Sequence, residues 1–79
     1  MPFSPEHLSE LNLLARFSPS SLQAGIKVHS HEAPPEMVTA AKRLYEKGII
    51  TQPDGGYLTD LGVETLEHTQ RLLGILTSE

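Results

Sequence analysis

The stretch of residues 37–66 constrains the fold most, because it places the signals of a short β-hairpin between those of two helices. Ala41, Leu44 and Tyr45 recur at helical spacing. Gly48 follows where the end of a helix needs a residue that tolerates positive φ. This pattern predicts a helix that ends near Gly48 and leads directly into extended chain.

The extended chain after Gly48 has the composition of a hairpin. Residues 49–51 are β-branched, residues 53–56 are turn formers, and residues 57–59 can return as the second strand. Thr59 is placed to cap a following helix. The sequence therefore predicts a two-stranded wing over about residues 49–59.

Serine–proline pairs mark the beginnings of helices earlier in the chain. Ser4-Pro5 and Ser18-Pro19 each combine a capping hydroxyl with a proline at the first helical position. Gly25 weakens the second of these helices by about 1 kcal/mol relative to alanine, and close approach of a neighbouring helix is one reason for a glycine there. The predicted helices span about residues 5–16, 19–28, 35–47 and 60–77.

These elements predict one domain over residues 1–79, mostly α with a small β-hairpin. Four helices and a two-stranded wing are the parts of a winged helix-turn-helix domain, and a small α+β domain of another topology is the alternative. A chain of 79 residues buries only a little over about 60% of its unfolded surface, so the core is modest.

Composition restricts the location and the partners. The chain has no cysteine, which fits a reducing compartment, and no apolar run approaches the roughly 20 residues of a membrane span. We therefore expect a cytoplasmic protein that does not contact a membrane. The net charge is −4, but residues 16–52 carry more bases than acids, so any basic surface lies in the middle of the chain.

The helix before the wing is the candidate for DNA contact, since the corresponding helix of helix-turn-helix proteins enters the major groove. Its candidate contacts are Thr39, Lys42, Arg43 and Lys47. Glu36 and Glu46 flank the same helix, and the wing tip carries Asp54 without a lysine or arginine. DNA binding by one copy is therefore expected to be weak and to need dimerisation.

Two other kinds of site are not expected. His29, His31 and Glu32 could ligate a metal only from a bent loop, because alternate residues of an extended segment point to opposite sides. No nucleophile motif, phosphate-binding glycine loop or pair of carboxylates in an apolar setting is present. We predict no metal, no cofactor and no enzymatic activity.

The C-terminal helix ends in an apolar run. Four of the five residues at 72–76 are large and apolar, and they cannot all face one core at 3.6 residues per turn. Two interpretations remain open: the helix end folds back over the domain, or it forms a dimer face. In the second interpretation the interface residues are Leu72, Ile75 and Leu76.

Two resemblances accompany these patterns. Residues 45–67, YEKGIITQPDGGYLTDLGVETLE, resemble a segment common to winged-helix transcription regulators. Residues 11–14, 22–29, 44–50 and 56–62 resemble a small family of uncharacterised proteobacterial proteins labelled as DNA-binding. These resemblances imply a winged fold and a DNA-binding function.

The sequence thus leads to two functional hypotheses. The first is a DNA-binding or transcription-associated module of the bacterial cytoplasm. The alternative is a protein–protein interaction module that keeps the winged fold without binding nucleic acid. The placement of charge discriminates them: Lys27, Lys42, Arg43 and Lys47 on one surface free of Glu36 and Glu46 would favour DNA.

Overall fold

The computed structural model describes residues 2–17 and 25–78. In chain order its elements are α1 (Pro5–Leu14), β1 (Ile26–Lys27), α2 (Pro35–Glu46), β2 (Ile50–Gln52), β3 (Gly55–Leu58) and α3 (Asp60–Thr77). The fold is mostly helical with a small antiparallel sheet in the strand order β1-β3-β2. Pairing joins Ile26 to Gly56 and Ile50 to Leu58, so β3 is the central strand.

The predicted helix starts that fall within the described residues are confirmed. The His7 N–H donates to Ser4 Oγ at 3.2 Å, and the Gly62 N–H donates to Thr59 Oγ1 at 3.0 Å. Each bond satisfies a backbone donor that the first turn of a helix leaves without a partner. Thr59 also donates its hydroxyl to the Gly48 carbonyl at 2.6 Å, which ties the start of α3 to the end of α2.

Gly48 and Gly62 connect the helices to the sheet. Gly48 has φ 77°, which confirms the predicted left-handed helix end. A Cβ on Gly62 would lie only 2.1 Å from the Ile49 carbonyl oxygen, so α3 can begin this close to the sheet only with glycine at that position. The Thr59 N–H also donates to Ile49 at 3.0 Å.

The prediction of a second helix at residues 19–28 is wrong in the part that can be described. Ile26 and Lys27 form β1, and residues 19–24 lie outside the described residues. Gly25 does permit a close approach, but of a strand: its Cβ would lie 2.6 Å from the Gly56 carbonyl oxygen. The β-branched side chains at Ile26 and Val28 suit this extended conformation.

The predicted count of four helices and a two-stranded wing is not confirmed. The described parts of the chain contain three helices, and β1 adds a third strand beside the hairpin. The hairpin itself is present, with β2 and β3 joined by the two residues Pro53 and Asp54. The Val28 N–H donates to the Asp54 carbonyl at 2.7 Å, which fixes β1 against the hairpin turn.

The core lies where α1, α2 and the sheet meet. Its buried apolar residues are Leu13, Leu14, Phe17, Val28, Ala40, Ala41, Leu44, Ile50 and Leu66. Only one of these nine comes from α3, whose 18 residues bury just Gly62 and Leu66. The body of the protein is therefore built by α1, α2 and the sheet, and the buried residues of α3 lie within its first two turns.

Candidate functional surfaces

Two cations at the C-terminal end of α2, Arg43 and the following Lys47, face α1 and are ion-paired. Arg43 Nε lies 3.0 Å from Glu10 Oε1, and Lys47 Nζ lies 2.5 Å from Glu10 Oε2. Arg43 also donates to the Glu6 carbonyl at 3.1 Å. The Glu10 side chain is only 10% exposed, so two predicted DNA contacts bind a buried carboxylate of the neighbouring helix.

Electrostatics at Glu10 favours the charged carboxylate. Burial alone would raise the pKa of Glu10, but the hydrogen bonds from Lys47 and Arg43, together with their positive charges, hold the pKa below its ordinary value. Glu10 is therefore ionised at neutral pH and neutralises cationic charge on this side of α2.

Thr39 lies on the same side of α2 in an acidic setting. Its hydroxyl donates to the Pro35 carbonyl at 3.0 Å, inside the helix. A cleft of about 220 Å³ is lined by Thr39 and Arg43 together with Glu6 and Glu36. Two carboxylates beside Thr39 disfavour the approach of a phosphate to this cleft.

Lys42 lies beside a different groove, of about 450 Å³, that runs from α2 toward the hairpin turn. The groove is lined by Lys27, Val28, His29, Ser30, His31, Val38, Ala41, Lys42, Pro53 and Asp54. Lys27 Nζ lies 2.7 Å from Asp54 Oδ2, and this hydrogen bond lowers the pKa of the Asp54 carboxyl. Asp54 thus offsets one of the two lysines, and Lys42 forms no ion pair with any described residue.

The structure thus gives the four predicted DNA contacts different surroundings. Thr39, Arg43 and Lys47 lie toward α1, and Lys42 lies in the groove. The grouping of Lys42 with the histidine loop was missed because 11 to 13 residues separate them in sequence and the loop carries no helical or strand periodicity. Within the described ranges, no three histidine or acidic side chains cluster closely enough to hold a metal ion.

A second surface, which we call the α1–α3 face, is apolar. It surrounds a groove of about 160 Å³ lined by Leu8, Leu11, Asn12, Ala15, Thr69, Leu72, Leu73 and Leu76. None of these eight described residues is charged. Leu8 is 57% exposed and Leu76 is 71% exposed, so large apolar side chains on both helices face solvent.

The predicted interface residues lie at or beside this face. Leu72 and Leu76 line its groove, and Ile75 is 60% exposed. The contribution of α1 was missed, because an apolar stripe on a helix does not by itself show whether it faces the core or solvent. The residues that complete the core side of α1 are instead Leu13 and Leu14.

These features define a small α+β protein with an ion-paired α1–α2 contact and an exposed apolar α1–α3 face. A family model described as "Family of unknown function (DUF5669)" matches residues 1–77, and the chain belongs to this family. No curated protein and no solved structure matches the chain. Among the described residues, no helix has the length and apolar character needed to cross a membrane.

Proposed function

We propose that this protein is a protein-interaction module that binds an apolar helix of a polypeptide partner on its α1–α3 face. The observation that carries the proposal is the burial pattern of α3. Every residue from Arg71 to Ser78 is exposed, although four of them are large and apolar. A groove between two helices, lined by leucines and free of charge, suits the apolar side chains of a third helix.

The size and chemistry of the face support a protein partner over a small molecule. Contiguous apolar surface on a small protein marks a place where another surface packs, because its exposure to water is unfavourable. The groove itself, at about 160 Å³, is too small to enclose a typical ligand. The exposed Ile75 beside the groove extends the apolar surface along α3.

The placement of charge on α2 also favours a protein partner over DNA. Arg43 and Lys47 pair with Glu10, Glu36 lies in the cleft beside Arg43, and Glu46 is exposed at the end of α2. The acids thus divide the cations into separate patches, whereas DNA affinity depends on several cations acting on neighbouring phosphates. The region before α2 also contributes a strand and a turn at residues 26–33, where a helix-turn-helix pair would need a helix.

DNA contact remains a second candidate, and one observation favours it. The groove beside α2 gathers Lys42 with Lys27, His29 and His31 next to the hairpin turn. A winged helix-turn-helix protein would place phosphate near such a turn. In this candidate Lys42 is the principal contact, and Arg43 and Lys47 act through the position of α2.

Site-specific photo-crosslinking tests the proposed function. A benzophenone amino acid replaces Leu73 in the α1–α3 face, and the same amino acid replaces Leu61 as the control. The two leucines lie on the same helix and are similarly exposed, at 45% and 50%. After irradiation of cells, mass spectrometry should identify a polypeptide crosslinked at residue 73 and not at residue 61.

The absence of an adduct at residue 73, or the same adducts at both positions, would overturn the interaction proposal. The DNA candidate is tested separately by fluorescence anisotropy with mixed-sequence duplex DNA at about 50 mM and about 200 mM salt. We expect no binding at either salt. Binding that weakens steeply with salt and is lost in Lys42→Ala would instead establish the second candidate.

A further inference from the structure

We propose that the groove beside Lys42 binds a small organic phosphate monoester, a ligand that carries one phosphate group on an apolar body. The groove shares no lining residue with the α1–α3 face, so binding there is independent of the proposed function. Three properties of the groove support this ligand: its size, its positive charge, and its combination of hydrogen-bond donors with apolar side chains.

The groove has the size of a small-molecule site. Its volume of about 450 Å³ lies within the range of about 300–1,000 Å³ that is typical of ligand pockets. Backbone hydrogen bonds fix the segments that line it. The Val28 N–H donates to the Asp54 carbonyl at 2.7 Å, and the His29 carbonyl accepts the N–H groups of Glu32 and Ala33 at 3.0 and 2.8 Å.

The charge of the groove is positive, although the chain carries a net charge of −4. Lys27 and Lys42 line it, and Asp54 is the one acid among its described lining residues. Lys42 forms no ion pair with any described residue. The Lys27 and Asp54 side chains are 60% and 40% exposed, so their ion pair is weak and Lys27 can exchange it for a ligand. A phosphate monoester carries a charge of about −1.5 to −2 at neutral pH, which two lysines match.

The hydrogen-bond donors of the groove suit a phosphate better than a carboxylate. His29 and His31 offer imidazole N–H groups and Ser30 offers a hydroxyl, all on exposed residues that follow β1. No arginine is among the described lining residues, so the groove lacks the bidentate guanidinium pairing that matches a planar carboxylate. Ammonium groups and single N–H or O–H donors instead suit the three terminal oxygens of a phosphate.

Apolar side chains form the rest of the lining. Val38 and Ala41 share one face of α2 with Lys42, because the three residues are spaced three and four positions apart. Val28 and Pro53 add apolar surface from the sheet side. Inorganic phosphate would leave this lining in contact with water, whereas an apolar group carried on the phosphate would cover it.

A single phosphate group fits the groove better than a nucleic-acid backbone does. The adjoining cleft, of about 220 Å³, adds the cation Arg16 but also the acid Glu32. Arg43 and Lys47 are paired with Glu10. Across the part of the surface that the structure describes, positive charge therefore does not continue beyond the groove as a row of phosphates would need.

NMR titration of the full chain with phenyl phosphate tests the proposal, in a phosphate-free buffer at constant ionic strength. We expect amide shifts at residues 27–31 and 38–42, and a dissociation constant of about 5 mM or lower for a ligand of this size. Benzoate and inorganic phosphate should each bind at least ~5-fold more weakly, because benzoate carries less charge and inorganic phosphate has no apolar part.

Three substitutions locate the bound phosphate. Lys42→Gln should weaken phenyl phosphate binding at least ~10-fold, because it removes the lysine that has no ion-pair partner among the described residues. Asp54→Asn should strengthen binding about threefold, since Lys27 loses its competing partner while the backbone carbonyl of residue 54 is retained. Arg71→Gln is the matched control: it removes one exposed cation from α3 and should leave binding unchanged.

Unchanged amide signals outside the groove show that the variants remain folded, which we expect because residues 42 and 71 are exposed. The absence of shifts at about 20 mM phenyl phosphate, or equal weakening in Lys42→Gln and Arg71→Gln, would overturn the site. Benzoate or inorganic phosphate that binds as tightly as phenyl phosphate would overturn the proposed ligand class. Displacement of phenyl phosphate by duplex DNA would assign the groove to nucleic acid and overturn a small ligand.

Discussion

Helix α2 and the C-terminal half of α3 use their side chains in opposite ways. On α2, the apolar residues Ala40, Ala41 and Leu44 are buried, and two of its cations bind Glu10. On α3, the apolar residues after Leu66 face solvent and no buried group holds them. The charges of α2 are those expected of a binding helix, but the comparison indicates that its side chains stabilise the fold. The exposed apolar residues of α3 are the ones available to a partner.

The difference follows from the position of each helix. Helix α2 lies between α1 and the sheet, so both sides of it meet other elements. Helix α3 is held most closely at its start, by the Thr59 cap and the contact of Gly62 with Ile49, and its later turns border the groove against α1. Those later turns stay exposed, and their composition then decides whether water or another protein covers them.

Removing core volume from α2 should have the largest effect. Leu44 is 1% exposed, and Leu44→Ala should destabilise the protein by about 2–5 kcal/mol, because a cavity remains where the side chain packed. Leu76→Ala, at a residue 71% exposed, should change the stability of the monomer by no more than about 0.5 kcal/mol. Urea unfolding at low protein concentration measures both. Equal losses would remove the distinction between the two helices.

Removing the buried charge at the α1–α2 contact should have an intermediate effect. Glu10→Gln should cost about 1–3 kcal/mol at pH 7, since it breaks two charge-assisted hydrogen bonds, while the partly exposed Arg43 and Lys47 regain water. The variant should keep the fold and its helix content. Glu6→Gln is the control, because Glu6 contributes its carbonyl and not its carboxylate to Arg43.

The pH dependence of the stabilities of wild type and Glu10→Gln shows whether the ionised Glu10 carboxylate stabilises the fold. The pKa of Glu10 is lower in the folded protein than its ordinary value of 4.5, so its contribution is present above pH 4.5 and is lost as the pH falls through the folded pKa. The difference in unfolding free energy between wild type and Glu10→Gln should therefore shrink on acidification. A difference that grows below pH 4.5 would contradict an ion-paired Glu10.

The smallest effect is expected at Gly74. Gly74→Ala should stabilise the monomer by up to about 1 kcal/mol through helix propensity, since its Cβ enters open space. It should leave photo-crosslinking at residue 73 unchanged, because Gly74 lies on the side of α3 away from the residues that line the groove. Thermal unfolding measures the stability, and crosslinking measures partner binding. Loss of the adduct at residue 73 would place Gly74 in the interface.

The local chemistry of the sequence predicted the helix starts at Pro5, Pro35 and Asp60, the hairpin, and the positive φ of Gly48. It failed at Ile26–Lys27, because a two-residue strand is formed by pairing with Gly55 and Gly56, about 30 residues away. Periodicity in hydrophobicity reflects only residues that are close along the chain. A strand of two residues is too short to show a period of two, so it leaves almost no pattern in the sequence.

Predicting the candidate surfaces required contacts between residues that are even farther apart in the sequence. The charges of Arg43 and Lys47 were visible in the sequence, but their partner Glu10 lies 33 and 37 residues earlier. The apolar excess at residues 72–76 was visible as well, because a helix cannot direct four of five side chains to one core. The contribution of α1 to this surface could be found only once the packing of α1 against α3 was known.

Amide hydrogen exchange of the purified protein tests the central contrast most directly. The account predicts slow exchange in the core of α2 and much faster exchange at residues 69–77 of α3, because few groups in one chain cover those turns. Exchange at residues 69–77 as slow as that of the α2 core would contradict the contrast between the two helices.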